Sequence, residues 1–390
     1  MFYDFPLITH ISEVEHIVQS RDEFIIAERE GYKVVNYIVC MEDTFPPVLD
    51  RDDALRRELR GIVFNENGDV ISRRLHKFFN VNEREETQIH NIDISEPHMI
   101  LEKLDGSMVT PIPIGDAFRW ATKMGVTETS MLAEEFVVDH PEYDDLARFC
   151  HEEGVTPIFE YMSRKNRIVV DYPEERLVLL ALRDTFSGDY ISYKSMQQLG
   201  ERYCIDVVKT YPGTIESMKH LIDETRGVEG IEGWILRFNN GHMVKVKSEW
   251  YVNLHRTKDA IRYERNLVTL ILNDQLDDIK AFMLEEDLKR VEVYHHNFRS
   301  DVAAFIDRVL NSLAESNLLS RKDYALDSKN ENPVIRSMVF KFWDDYRVEV
   351  EGQLRPKIRD EVLRVIEKHT TTNKKFEEMS DVLSNCKWGV

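Results

Sequence analysis

Near residue 253 the patterning of this chain changes from short β-like runs to helical periodicity. A chain that switches period once is expected to fold as two bodies with different architectures. Before the switch, apolar runs occupy residues 32–40, 61–64, 99–104, 108–114, 157–162, 177–183, 234–238 and 243–247. Asn239-Asn240-Gly241 lies between the last two and predicts a hairpin turn. One helical stretch, 128–153, interrupts the runs. After the switch Val302, Phe305, Ile306, Val309, Leu310 and Leu313 recur at helical spacing, and 334–346 and 358–369 also read as helices. The expected fold class is α+β: a body of antiparallel sheets with helices over residues 1–254, then an all-helical domain over 255–390.

The net charge of −20 argues against a protein that coats nucleic acid, because phosphate neutralisation needs basic surface. It leaves room for a local basic cleft, provided that Lys and Arg converge on it from separate segments. Cys40, Cys150, Cys204 and Cys386 are far apart and form no C-x-x-C pair, which favours reduced thiols over a disulfide framework or a zinc site. The opening MFYDFPLITHISEVEH has no basic start followed by an apolar run, so no signal peptide is expected. The apolar run from Leu177 to Leu182 is too short to span a bilayer. No partner membrane is expected, and the chain is expected to be a cytoplasmic monomer.

The segment LEKLDGSM, residues 101–108, holds Lys103 two residues before an Asp-Gly pair. Asp-Gly between apolar runs signals a hairpin turn. Lys-x-Asp-Gly alone arises by chance in about one chain in ten of this length. Its weight comes from other segments that carry the groups nucleotidyl transfer needs. A lysine attacks an α-phosphorus only as the neutral amine. The triphosphate needs cationic clamps and a divalent metal, and the metal needs carboxylates. Arg60 opens a strand in LRGIVF, where it could grip a phosphate, and Lys77 precedes Phe78 and Phe79, core residues of which one could stack on a base. Glu160 interrupts an apolar strand, and Glu232 precedes Gly233. Lys245 and Lys247 alternate with Val244 and Val246, so both ammonium groups share one sheet face. A solvated face is the competing reading for these lysines, as is a solvent-facing carboxylate for Glu160. The chain has no G-x-x-x-x-G-K-[ST] and no G-x-G-x-x-G, so a P-loop or dinucleotide fold is not expected. His295-His296 reads as a helix-surface pair. Asp277-Asp278 and Asp344-Asp345 read as solvated helix charges, with a second metal site at Asp277 and Asp278 as the alternative.

In order and spacing these segments resemble the covalent nucleotidyltransferases, most closely the T4 RNA ligase 1 family. Lys103-Leu104-Asp105-Gly106 matches its K-x-D-G, and Arg60-Gly61-Ile62-Val63-Phe64 its R-G-I-x-F. Lys77 to Glu83 resembles K-F-F-N-x-N-E. Phe159-Glu160-Tyr161, Asn166-Arg167-Ile168-Val169, Glu232-Gly233 and Lys245 to Tyr251 complete the series. The resemblance covers roughly residues 30 to 285 and implies a nucleotidyltransferase (adenylation) domain. It implies that Lys103 becomes AMP-lysine, that Glu160 and Glu232 serve the ribose and the metal or its waters, and that Lys245 and Lys247 contact the α-phosphate. Arg60 and Lys245 would meet the pyrophosphate end, and Tyr37 and Lys123 match less distinctive nucleotide-binding positions. ATP and Mg2+ or Mn2+ are the implied cofactors. The implied partners are RNA ends bearing a 5′-phosphate and a 3′-hydroxyl, with a cleaved tRNA anticodon loop as one such substrate, inside a bacterial host cell. The same superfamily contains DNA ligases and capping guanylyltransferases, but those usually append an OB-fold where this chain turns helical. An RNA-binding or scaffold protein with a degenerate site is the non-enzymatic alternative. The resemblance also implies that the helical domain, residues 255–390, supplies RNA specificity, although it shows no basic stripe in its sequence.

Overall fold

The computed structural model describes residues 5–41, 43–348 and 351–388; Met1–Asp4 of the opening segment lie outside it. The chain divides into two compact units, Met1–Val252 and Asn253–Val390.

The first unit contains three four-stranded sheets. Strands β1 (Phe24–Arg29), β2 (Tyr32–Tyr37), β3 (Arg60–Asn65) and β4 (Val70–Ser72) form an antiparallel meander. Strands β5 (Phe79–Asn80) and β6 (His98–Lys103) are the two edges of a second sheet. Strands β7 (Ser107–Ile114), β8 (Ala117–Ala121), β9 (Val155–Met162) and β10 (Arg176–Asp184) make the third, in the order β10-β9-β7-β8. Finally β11 (Gly233–Phe238) and β12 (Met243–Lys247) return to fill the centre of the second sheet, whose order is β5-β12-β11-β6. Among the described residues these strands pair antiparallel, apart from the short parallel β5–β12 contact. Gly241 has φ +88° in the β11–β12 hairpin, a conformation that glycine adopts without strain.

The Asp-Gly signal misleads in one respect. Strands β6 and β7 flank it but belong to different sheets, so Leu104-Asp105-Gly106 is a crossover between sheets and closes no hairpin. The helical stretch 128–153 is also two helices, Glu128–Val138 and Glu142–Glu152. Pro141 has no N–H to donate and disfavours helical backbone at His140, so the helix cannot run through. The expected strand 32–40 stops at Tyr37, and the helix over 334–346 breaks after Lys341.

Packing follows the strand alternation. Val244 and Val246 are buried, each worth roughly 1.5–3 kcal/mol, while Lys245 and Lys247 point to the opposite face. Behind the sheets a buried ion cluster joins distant segments. Glu58 pairs with Arg73 at 3.0 Å and Arg183 at 2.8 Å, all three fully buried. Burial alone would raise the Glu58 carboxyl, but Arg183 and Arg73 pull it down to about 2.

The second unit is helical. Its 32-residue helix Glu285–Ser316 buries Val291, Tyr294, Phe298, Val302, Phe305, Val309 and Leu313 along one stripe. Helix Glu351–His369 packs Leu354, Ile358, Val362 and Ile366 into the same core. Buried Asp301 accepts hydrogen bonds from the backbone N–H groups of Asn385 (2.8 Å) and Cys386 (3.1 Å), which ties the end of the chain to that core. Among the described residues no helix is long and apolar enough to cross a membrane.

Candidate active site

The crossover is fixed before any side chain of the site is considered. Asp105 is buried, and its Oδ2 accepts from the backbone N–H of Val169 (2.8 Å) and Val170 (2.7 Å). Its Oδ1 accepts from the Tyr251 hydroxyl at 2.7 Å. The Asp105 N–H donates to the Tyr172 hydroxyl at 3.1 Å, and the Gly106 N–H to Glu160 Oε1 at 3.1 Å. A Cβ on Gly106 would lie 2.3 Å from the Tyr161 carbonyl oxygen, so only glycine lets the crossover pass this close to β9. Leu104 is buried in the core. Ser107 finds its partner in Asn166, whose Nδ2 donates to it at 3.0 Å, and makes no local turn bond.

Strand register then gathers the charged groups. Gly233 pairs with Lys103 on one side and Lys247 on the other, so Glu232, the residue before it, stands between the two ammonium groups. Its Oε2 meets Lys103 Nζ at 2.8 Å and its Oε1 meets Lys247 Nζ at 2.9 Å. A Cβ at Gly233, where φ is +146°, would lie 2.0 Å from the Val246 carbonyl oxygen. The glycine therefore permits the close three-strand approach that brings both lysines to one carboxylate.

These groups border a cleft of about 420 Å³. Lys103, Lys245, Arg60, Lys123, Tyr37 and Glu160 line it, with Phe78, Met108 and Ile235 among its apolar walls. Lys77 stands behind Tyr37, its Nζ 5.0 Å from that ring and 5.2 and 5.3 Å from the rings of Phe45 and Phe79. Lys123 Nζ is 4.8 Å from the same Tyr37 ring. The two phenylalanines divide as sequence alone could not decide. Both are buried core residues, but Phe78 also lines the cleft, where Lys245 Nζ lies 4.6 Å from its ring.

The electrostatics are those of a site built for an anion. Burial first, then Arg60, Lys103, Lys77 and Lys247, drive the Lys245 ammonium well below its ordinary pKa. Burial opposes ionisation of Tyr37, but Lys77, Arg60 and Lys123 outweigh it and lower the phenol. Glu160 is buried, and desolvation raises its carboxyl to about 7. Crowded cations at this depth repel one another, and a polyphosphate relieves that repulsion while forming charge-assisted hydrogen bonds.

Both Glu232 oxygens are engaged by lysines, and the carboxylates that line the cleft itself are Glu160 and Glu102, of which Glu160 is the buried one. Among the described residues no three His, Cys, Asp or Glu side chains group to hold a metal ion. One carboxylate still fits a magnesium-type ion, which completes its shell with phosphate oxygens and water. Asp277 and Asp278 are not among the residues that line this cleft. They lie in the second unit on the short helix Leu276–Lys280, where the Asp277 carboxylate is 84% exposed and pairs with Lys280 at 2.8 Å.

Sequence reasoning assigned no role to three residues that hold the cleft. Tyr251 and Tyr172 act on the crossover as described. Arg74 is buried and donates to the carbonyls of Gly61 and Ala121, next to Arg60 and two residues before Lys123. Desolvation lowers its guanidinium to about 9. A second arginine beside Arg73 was the only sequence signal, and it says nothing about burial.

A family model described as RNA ligase, of the T4 RNA ligase 1 type, matches residues 58–251. A Thermovibrio ammonificans protein named "Putative RNA ligase" is 32% identical over 284 residues, 68% of this chain and 73% of the relative. "RNA ligase 1" of bacteriophage TS2126 is 30% identical over 243 residues, 60% of each chain. Among solved structures, an archaeal ATP-dependent RNA ligase is similar with a TM-score of 0.48 and 16% identity, over 75% of this chain and 79% of that one.

Proposed function

The chain belongs to the T4 RNA ligase 1 family of RNA ligases, and from that premise we propose that it joins RNA 5′-phosphate and 3′-hydroxyl ends through a lysyl-AMP at Lys103. The observation that carries this reading is the Lys103–Glu232–Lys247 bridge at the edge of a cleft crowded with further cations.

The chemistry assigned to the residues is as follows. Glu232 Oε2 is within reach to take the Lys103 ammonium proton. The freed amine attacks the α-phosphorus of ATP, a P–N bond forms, and the bond to the β-phosphate breaks to release pyrophosphate. An oxygen of the RNA 5′-phosphate then displaces the lysine and takes the AMP. Finally the RNA 3′-hydroxyl attacks that 5′-phosphate, forming the phosphodiester and expelling AMP. Lys245, Arg60, Lys77 and Lys123 supply positive charge for the phosphates, and Lys247 is released toward the α-phosphate as Glu232 takes its proton. A divalent ion beside Glu160 would neutralise charge that builds on phosphate oxygens.

The same proposal extends to tRNA repair, with a cleaved anticodon loop as substrate, and to a monomeric enzyme acting in the cytoplasm of a bacterial host. Incubation with α-labelled ATP and Mg2+ or Mn2+ should label the protein, and Lys103→Ala should abolish the label. Undiminished labelling of that variant would remove the mechanism. Joining of nicked tRNA no faster than joining of unstructured RNA would remove the repair assignment alone.

A further inference from the structure

The acid excess of the chain lies almost wholly in its first unit. Residues 253–390 carry 23 Lys and Arg against 25 Asp and Glu, while the rest of the chain carries 28 against 46. Against that nearly neutral background the helical unit contains a groove of about 650 Å³ with cations at its rim. His295 and Arg299 stand one turn apart on helix Glu285–Ser316, and Arg355 and Arg359 one turn apart on helix Glu351–His369. The i, i+4 spacing turns each pair to one face of its helix, and both faces line the groove. No stripe shows in the linear sequence because the two pairs are 56 positions or more apart along the chain.

Partnering separates these cations. Arg355 already meets Asp307 at 2.6 Å. Arg299 and Arg359 are exposed and have no carboxylate partner among the described residues. Glu292 lines the adjoining pocket and Asp277 acts on His295, so the rim is not purely cationic. Burial, then Lys280 and Arg299, lower the His295 imidazole, so the charge of the groove is carried by its arginines. The floor is apolar, with Ile271, Leu272, Phe298 and Val302. Unpaired guanidiniums over an apolar floor suit an unstacked base with its flanking phosphates, the arrangement used to hold single strands.

We propose that this groove binds single-stranded RNA, with Arg299 and Arg359 on successive phosphates; the choice of RNA rests on the ligase reading above. The chain −20 charge is no objection, since the contacts are local.

Binding of a fluorescein-labelled 20-nucleotide oligouridylate to the full-length protein, across a KCl series, tests it. Arg299→Ala/Arg359→Ala should weaken binding roughly tenfold and reduce the salt slope by about 1.4, two phosphate contacts at about 0.7 each for a single strand. Arg299→Lys/Arg359→Lys should recover most of the affinity. Lysyl-AMP formation and melting temperature should match wild type in both variants. Unchanged affinity and slope in the alanine variant would overturn the proposal, and a groove occupied by an acidic protein segment would produce that result. Failure of the wild-type protein to form lysyl-AMP would instead overturn the enzymatic reading and leave the RNA-binding comparison standing.

Discussion

The two units gather positive charge in different ways. In the sheet unit, Lys103, Lys245 and Lys247 come from edge and central strands of one sheet, Arg60 from a second, and Lys123 from the turn after β8. Long-range register, two glycines and the buried Asp105 set their positions. In the helical unit, two i, i+4 pairs on neighbouring helices suffice, and two of the three arginines stay solvated. Charges assembled by register are desolvated and coupled, so losing one disturbs the others. Charges assembled by helical period are nearly independent. Coupled cations can perturb a pKa and serve chemistry, while solvated ones can only supply salt-sensitive attraction.

Substitutions can break this contrast, and the largest effects belong to the first unit. Lys103→Ala should remove lysyl-AMP, because the proposed P–N bond forms at its Nζ. Glu58→Gln should cost about 3–5 kcal/mol of stability by stranding Arg73 and Arg183 without their shared anion, measurable by chemical denaturation. The folded carboxyl of Glu58 lies at about 2, below its ordinary 4.5. Its contribution is therefore present above pH 4.5 and lost as pH falls from there toward 2, and the glutamine variant should lose that acid limb.

Asp105→Asn should cost about 1–3 kcal/mol, because an amide cannot accept on both sides as the carboxylate does. Its lysyl-AMP formation should fall further than its stability, since the crossover it holds carries Lys103. The folded carboxyl of Glu160 is raised to about 7, so a bound divalent ion must displace its proton below that pH. Affinity for Mn2+, followed by electron paramagnetic resonance, should rise up to about tenfold per unit as pH approaches 7 and flatten above it, and Glu160→Gln should abolish the slope. The smallest effect belongs to the second unit. Arg355→Ala should weaken oligouridylate binding less than Arg299→Ala, by under about threefold, because Asp307 already occupies that guanidinium. An equal loss for the two would mean that the groove cations are coupled after all.

What could be read in advance depended on how local its cause is. Strand alternation placed Lys245 and Lys247 on one face, and the Asn-Gly turn joined β11 to β12. The stripe from Val302 to Leu313 announced the long helix. The crossover misread as a hairpin had flanking runs that resembled partners, but their true partners, β11 and β9, lie far along the chain. Asp105 illustrates the same limit, since its partners Val169, Val170 and Tyr251 stand 64, 65 and 146 residues away.

Residue types and their order determined the α+β-then-helical plan, the candidate nucleophile and the set of charged side chains that accompany it. Those depend on local periodicity and on chemistry carried by single residues. Tertiary structure alone decided that Glu232 bridges two lysines, that Phe78 and not Phe79 lines the cleft, and that three scattered arginines share a helical groove. Each of those depends on which strand or helix packs beside which, and that contact forms only when the whole chain buries its apolar surface.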